Sequence, residues 1–297
     1  MTHDAVAAPT WFTTALAAPV ETGRVAVGGA SIHFRAWGPV DAPGIVLVHG
    51  GAAHSRWWDH IGPQLADGRR VVAVDLSGHG DSDHRDGYSL EQWAEEALAA
   101  AHAARISGRP IFVGHSMGGM VTFVAARLFG GELDGVVIID SPVYARSPEE
   151  EAARAERVFG PPKIYPSREV ALERFRFVPP QDDVLPYVRD HIAEHSMKPV
   201  DDGWVWKFDA SLMARRGSEH LGADDAQCRI AFFRAGRSIL SDDSVADMRQ
   251  RFGPGAIFAE IPEAGHHVMI DQPLALVTAI STAVAAWDAE DRVAGLL

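Results

Sequence analysis

The chain has 297 residues, 47% hydrophobic and 23% charged, a balance that excludes a largely disordered or collagen-like chain and leaves room for one or two domains. With 27 basic against 40 acidic side chains the net charge is −13, which disfavours nucleic acid and anionic lipid as partners. A single cysteine, Cys228, can form neither an internal disulfide nor a cysteine-based zinc site.

The N-terminal stretch predicts a surface helix over residues 11–18. Ala15-Leu16-Ala17 has the small-residue look of a cleavage site. However, no Lys or Arg precedes Arg24, and Asp4 and two prolines interrupt the stretch, so a secretory leader is not expected. No run approaches the ~18 apolar residues of a spanning helix. A cytoplasmic protein without membrane contact is therefore expected. Strands are predicted next at 24–27 and 31–37, joined by Gly28-Gly29 as an antiparallel hairpin. Further strands follow at 45–49, 71–76, 111–114, 136–140, 230–234 and 256–261. Runs such as Ile45-Val46-Leu47-Val48 and Val136-Val137-Ile138-Ile139 suit parallel strands buried on both faces. Helices are predicted between them at 89–106, 117–129, 244–252 and 273–287, the first with Ser89 as N-cap and Gln92 at the capping-box position. This alternation describes an α/β protein with a doubly wound, mostly parallel sheet.

The rhythm breaks once. Between Asp140 and Cys228 no buried strand is predicted, and helices are expected at 148–159, 167–177 and 182–197. About 80 residues are too many for a plain loop. The expected division is a core of residues 1–142 and 223–297, with residues 143–222 as a small helical domain.

Three motifs carry chemistry. Gly114-His115-Ser116-Met117-Gly118-Gly119 follows a strand and opens a helix, the context a G-x-S-x-G turn requires. Small flanking residues allow the strained turn, and Ser116 is presented at a helix N-terminus, where free N–H groups favour an oxyanion. His49-Gly50-Gly51 ends the third strand, and its glycines let a backbone N–H face a reacting carbonyl. Gly51 (or Ala52) and Met117 are the candidate oxyanion donors. Ala264-Gly265-His266-His267 follows the last strand, and His266 is the candidate base, with His267 structural.

Together these motifs resemble the α/β-hydrolase superfamily over nearly the whole chain. Asp75-Leu76-Ser77-Gly78-His79-Gly80-Asp81-Ser82 is similar to the family's loop after its fourth strand. The resemblance implies an eight-stranded, mostly parallel sheet with a helical cap after strand six. It also implies hydrolysis through a covalent serine intermediate, with neither metal nor organic cofactor. One position departs from the pattern. The loop after the seventh strand, where the family usually places its acid, reads Arg237-Ser238-Ile239-Leu240. Isoleucine cannot accept a hydrogen bond from imidazole. A second location known in the family, the end of strand six, holds Asp140, with Asp242 and Asp243 as rivals.

Substrate-facing candidates are His49, Trp57, His115, Tyr144 and Trp204, together with the insertion's other aromatics Phe159, Tyr165, Phe175, Phe177, Trp206 and Phe208. These aromatics line a pocket or form the insertion's own core. The expected function is a serine hydrolase acting on a small to medium apolar carboxylic ester, as monomer or homodimer. Lactonase, cofactor-free perhydrolase and carbon–carbon bond hydrolase remain open on the same residues. A ligand receptor that kept the fold is the alternative of another class. No G-x-G-x-x-G follows the first parallel strand, which sets a dehydrogenase aside.

Overall fold

A computed structural model describes residues 7–143, 163–212 and 226–295. The chain enters through helix α1 (Thr10–Ala17) and a hairpin of β1 (Glu21–Val27) and β2 (Ala30–Trp37). The parallel strands are β3 (Pro43–Val48), β4 (Arg70–Val74), β5 (Ser107–His115), β6 (Gly135–Ile139), β9 (Arg229–Arg237) and β10 (Ile257–Gly265). The eight strands form one sheet in the order β1-β2-β4-β3-β5-β6-β9-β10. β2 is antiparallel to β1 and β4, and every later pairing is parallel.

Burial follows this order. β4 and β6 are buried throughout, and β3 is buried from its second residue, as the apolar runs predict. β10 is an edge strand and differs from that expectation. Ala259 and Glu260 face solvent, because only β9 flanks it.

Helices α2 (Leu90–Ala103), α3 (Met117–Leu128), α6 (Asp242–Phe252) and α8 (Pro273–Ala294) cover the two faces, with the short α7 (Val268–Asp271) just ahead of α8. Ser89 caps α2 by accepting the Gln92 N–H at 3.1 Å. The longest, α8, runs past the predicted stop at Trp287, and Gly295 ends it in the left-handed conformation at φ 68°. Among the described residues no helix is long and apolar enough to cross a membrane.

Between β6 and β9 the described residues hold α4 (Arg168–Glu173), α5 (Pro186–His195), β7 (Met197–Val200) and β8 (Gly203–Trp206). The short hairpin β7–β8 corrects the expectation of helices alone. Its two-residue turn is Asp201-Asp202, followed by Gly203 at φ 143° and then Trp204-Val205-Trp206. The predicted helix over 148–159 and the aromatics Tyr144 and Phe159 lie outside the described residues. Among the described residues the insertion packs into the core of the sheet domain. Phe177, Val188 and Ile192 join the cluster that includes Trp57, Trp58, Val268 and Ile270 beneath them.

Strand order reverses at β3, since the chain passes from β3 to β4 on one side and returns to β5 on the other. The crevice at the carboxyl ends of such strands is where open α/β sheets bind ligands. His49, Ser116, Asp140 and His266 follow β3, β5, β6 and β10 at that edge.

Candidate active site

Ser116 sits between β5 and α3 at φ 53°, ψ −119°, a left-handed backbone that a non-glycine residue adopts at a cost of ~1–3 kcal/mol. Its neighbours fix this conformation. The Ser116 N–H donates to Ile139 O at 3.1 Å, and the Ser141 hydroxyl donates to Ser116 O at 2.6 Å. The flanking glycines are sterically required. A Cβ on Gly114 would lie 2.1 Å from Gly118 O, and one on Gly118 would lie 2.3 Å from Val48 O.

His266 Nε2 stands 3.1 Å from Ser116 Oγ, and its Nδ1 stands 2.8 Å from Asp140 Oδ2. A carboxylate only accepts, so Nδ1 carries the proton and Nε2 is left to accept from the serine hydroxyl. Asp140 is fully buried and also at positive φ, 42°. Its second oxygen, Oδ1, accepts the Ala235 N–H at 3.1 Å and the Ser238 hydroxyl. The loop after β9 thus supplies a hydroxyl that holds Asp140. The sequence contains Ser238, but nothing in its spacing reveals that it faces Asp140. The rivals lie elsewhere. Asp242 is 89% exposed and pairs with Arg234 at 2.6 Å, and Asp243 is exposed beside it at the start of α6. Ser238→Ala should leave Asp140 one donor short. Hydrogen bonds to charged groups contribute ~1.5–3 kcal/mol, so kcat on any substrate of this site is expected to fall about 10-fold with the folded state retained. Wild-type kcat in this variant would remove Ser238 from the site.

The loop bearing His266 is held from both ends. Gly265 N–H and the Gln181 side-chain amide both donate to Asp271 Oδ2, the latter at 3.0 Å, and Gln181 Oε1 accepts the His267 N–H at 2.8 Å. Burial raises the Asp271 carboxyl to about 6. The folded chain therefore holds that proton more tightly than the unfolded chain does. The associated stability is present at low pH and is lost as pH rises from the ordinary carboxylate range, ~4, through about 6. Asp271→Asn keeps an acceptor for both donors and removes this dependence. Its Tm relative to wild type should be higher at pH 8 than at pH 5, and an equal difference at both pH values would contradict the assignment.

The residues predicted as oxyanion donors lie near one another at the same corner. Met117 opens α3, so its N–H has no acceptor within the helix. A Cβ on Gly51 would touch Met117 Sδ at 3.9 Å, and one on Gly50 would touch Ser116 Cβ at 3.4 Å. Ala52 turns the loop at φ 57°. His49 and His115 differ from their predicted substrate-facing role. His49 is buried, donates from Nδ1 to Gly50 O at 2.8 Å and accepts the Leu76 N–H on Nε2 at 3.1 Å. His115, also buried, donates from Nε2 to His266 O at 2.8 Å. Burial pushes both imidazoles down, so they stay neutral at pH 7 and position the two loops. His267 is buried and bonded to Pro179 O at 2.9 Å, the expected structural place.

A cavity of about 420 Å³ opens beside Gly51 and Ala52. Trp57, Phe175, Phe177, Val178, Val205 and Trp206 form its apolar walls. Trp57 meets Phe177 edge-on at 5.4 Å. Tyr165 and Phe208 also line it, whereas Trp204 does not; its backbone N–H and carbonyl pair with those of Tyr165 at 2.8 Å. His54, which sequence reasoning missed, lines the wall and donates from Nε2 to Ser196 Oγ at 2.9 Å, while the Ser196 hydroxyl donates onward to Ile192 O.

His115, His266 and His267 bring ring nitrogens within 4.8 Å of one another. The His266 nitrogens engage Ser116 and Asp140, which leaves only Nδ1 of His115 and of His267 without a partner. Two nitrogens fall short of the three protein ligands of a catalytic zinc site.

A family model described as the alpha/beta hydrolase family matches residues 45–280, and the chain belongs to that family. The esterase Rv0045c of Mycobacterium tuberculosis is 28% identical over 268 residues, 86% of this chain and 87% of that protein. A serine hydrolase-like protein of Danio rerio is 25% identical over 309 residues, 91% and 90% of the two chains. Among solved structures, that of E-2-(acetamidomethylene)succinate hydrolase matches with a TM-score of 0.76 at 24% identity, covering 89% of this chain and 98% of that one. This last likeness is one of fold.

Proposed function

We propose that the protein is a serine esterase, cleaving a small to medium apolar carboxylic ester through an acyl-enzyme. The observation that carries the reading is the buried line from Ser116 through His266 to Asp140, at 3.1 and 2.8 Å. His266 Nε2 takes the hydroxyl proton as Ser116 Oγ attacks the ester carbonyl carbon. Asp140 holds the imidazole in the correct tautomer and stabilises the imidazolium that forms. The Gly51 and Met117 N–H groups receive the oxyanion. His266 then returns its proton to the departing alkoxide, and an ester joins the acyl group to Ser116. Water, deprotonated by His266, releases the acid. The esterase name of the Mycobacterium tuberculosis relative supports the same reaction class.

Residues 143–222 are proposed as the cap that sets substrate choice, since they supply most of the cavity's aromatic wall. A chain-length series of nitrophenyl esters tests both points. Turnover should peak at a chain that fills the apolar cavity. Trp206→Ala should reorder the series, while Trp204→Ala, outside the cavity, should leave the ranking intact. Equal loss on every ester from Trp206→Ala, in a folded protein, would contradict a specificity role. Binding of these esters without turnover would favour the receptor alternative.

A further inference from the structure

The charge of the cavity runs against the charge of the chain. Acidic side chains outnumber basic ones 40 to 27 overall. At the cavity the balance is inverted: among the described residues Lys163, Arg174, Arg176, Lys198 and Lys207 line it against Asp209 as the single carboxylate. Asp209 is itself engaged, accepting the Tyr88 hydroxyl at 2.8 Å and the Ser211 N–H at 2.9 Å.

The five cations are not equally occupied. Lys207 pairs with Asp81 at 2.6 Å, and Arg176 donates to the carbonyls of Glu173 and Phe175. For Lys163, Arg174 and Lys198, no ion pair or side-chain hydrogen bond is found among the described residues. Lys198 is half-buried on β7, whereas Lys163 and Arg174 are exposed. They come from three separate stretches of the insertion, residue 163 ahead of α4, residue 174 just after it and residue 198 on β7. Among the described residues, one surface therefore combines apolar walls with three cations that form no ion pair. Mutual repulsion disfavours holding like charges around one cavity, and an anionic ligand removes that cost. A neutral apolar ester would leave them uncompensated.

We infer that the cavity selects esters carrying an anionic group, such as a carboxylate, at the end remote from the scissile bond. The apolar walls receive the intervening chain, and Lys163, Arg174 and Lys198 receive the charge. The inference rests on the esterase reading and narrows its substrate class from apolar esters to esters with an apolar middle and a charged end.

The test uses matched nitrophenyl esters of adipic and suberic acid whose far end is either the free carboxylate or the isosteric carboxamide. The carboxylate member is expected to show a kcat/KM at least 10-fold higher, carried by a lower KM. The advantage should shrink between 0.05 and 0.5 M salt, because screening shortens with ionic strength. Lys198→Gln and Arg174→Gln should each raise KM about 3- to 10-fold for the carboxylate and leave the carboxamide unchanged. Equal use of the two members, or a loss shared by both, would overturn the inference while leaving the esterase reading intact. Turnover of neither would count against the esterase reading. In that event calorimetric binding of the same pair to Ser116→Ala protein decides the charge preference: tighter binding of the carboxylate sustains it, and equal binding overturns it.

Discussion

Ser116→Ala is expected to lower kcat on nitrophenyl esters by about 10⁶-fold, the scale reported for losing a triad nucleophile, with the fold unchanged. The reason lies in what the hydroxyl contacts. Ser116 Oγ faces His266 Nε2, whereas the elbow itself is held by backbone atoms of Ser116 bonded to Ile139 and Ser141. Removing the hydroxyl deletes the attacking atom and leaves those bonds in place. A second substitution separates strain from chemistry. Ser116→Gly also deletes the nucleophile, but glycine adopts φ 53° without the Cβ penalty, so this variant should be inactive and more stable than Ser116→Ala by about 1 kcal/mol. Full activity in either variant would remove Ser116 from the reaction. Equal stability of the two would remove the claim of strain.

Asp140→Asn carries the second-largest effect, a loss of roughly 10⁴-fold in kcat. An asparagine placed here can still accept the Ala235 N–H and the Ser238 hydroxyl on its oxygen, which preserves the packing around the residue. That choice turns the NH₂ group toward His266 Nδ1, now a donor facing a donor. The imidazole responds by carrying its proton on Nε2, which can no longer accept from Ser116. Loss of activity with retained Tm is therefore the expected pair of results. Asp242→Asn should change kcat by less than about 2-fold, since an exposed surface ion pair contributes little. The reverse pattern, an active Asp140→Asn and an inactive Asp242→Asn, would overturn the assignment.

The sheet was legible because its strands are buried on both faces, and only apolar runs such as Val71-Val72-Ala73-Val74 survive there. The elbow was legible because steric demands at Gly114 and Gly118 leave a mark in the sequence. Asp140 could be reached through Ile239, whose side chain is chemically incapable of the acid's role. What remained hidden depends on which way a side chain turns. His49 and His115 have the composition of site residues, yet both nitrogens of His49 and Nε2 of His115 bond to backbone atoms and anchor the loops. Trp204 and Trp206 are two residues apart in one short strand, but only Trp206 lines the cavity. The β7–β8 hairpin is half-buried and only a few residues long, so its alternation is weak beside the helical signal of the preceding segment. The cationic lining is invisible in a chain of net charge −13, because its members are separated in sequence and meet only in the fold.

Labelling with a fluorophosphonate, read by intact mass and peptide mapping, tests the central claim most directly. The reagent reports a serine made nucleophilic by its base and an oxyanion site that accepts the phosphonyl oxygen. One adduct per chain is expected, on the peptide containing Ser116, with activity lost in proportion to labelling. The adduct should be absent from Ser116→Ala and His266→Ala proteins. An adduct on another serine that tracks the loss of activity, or an active wild-type protein that takes no label, would contradict the account.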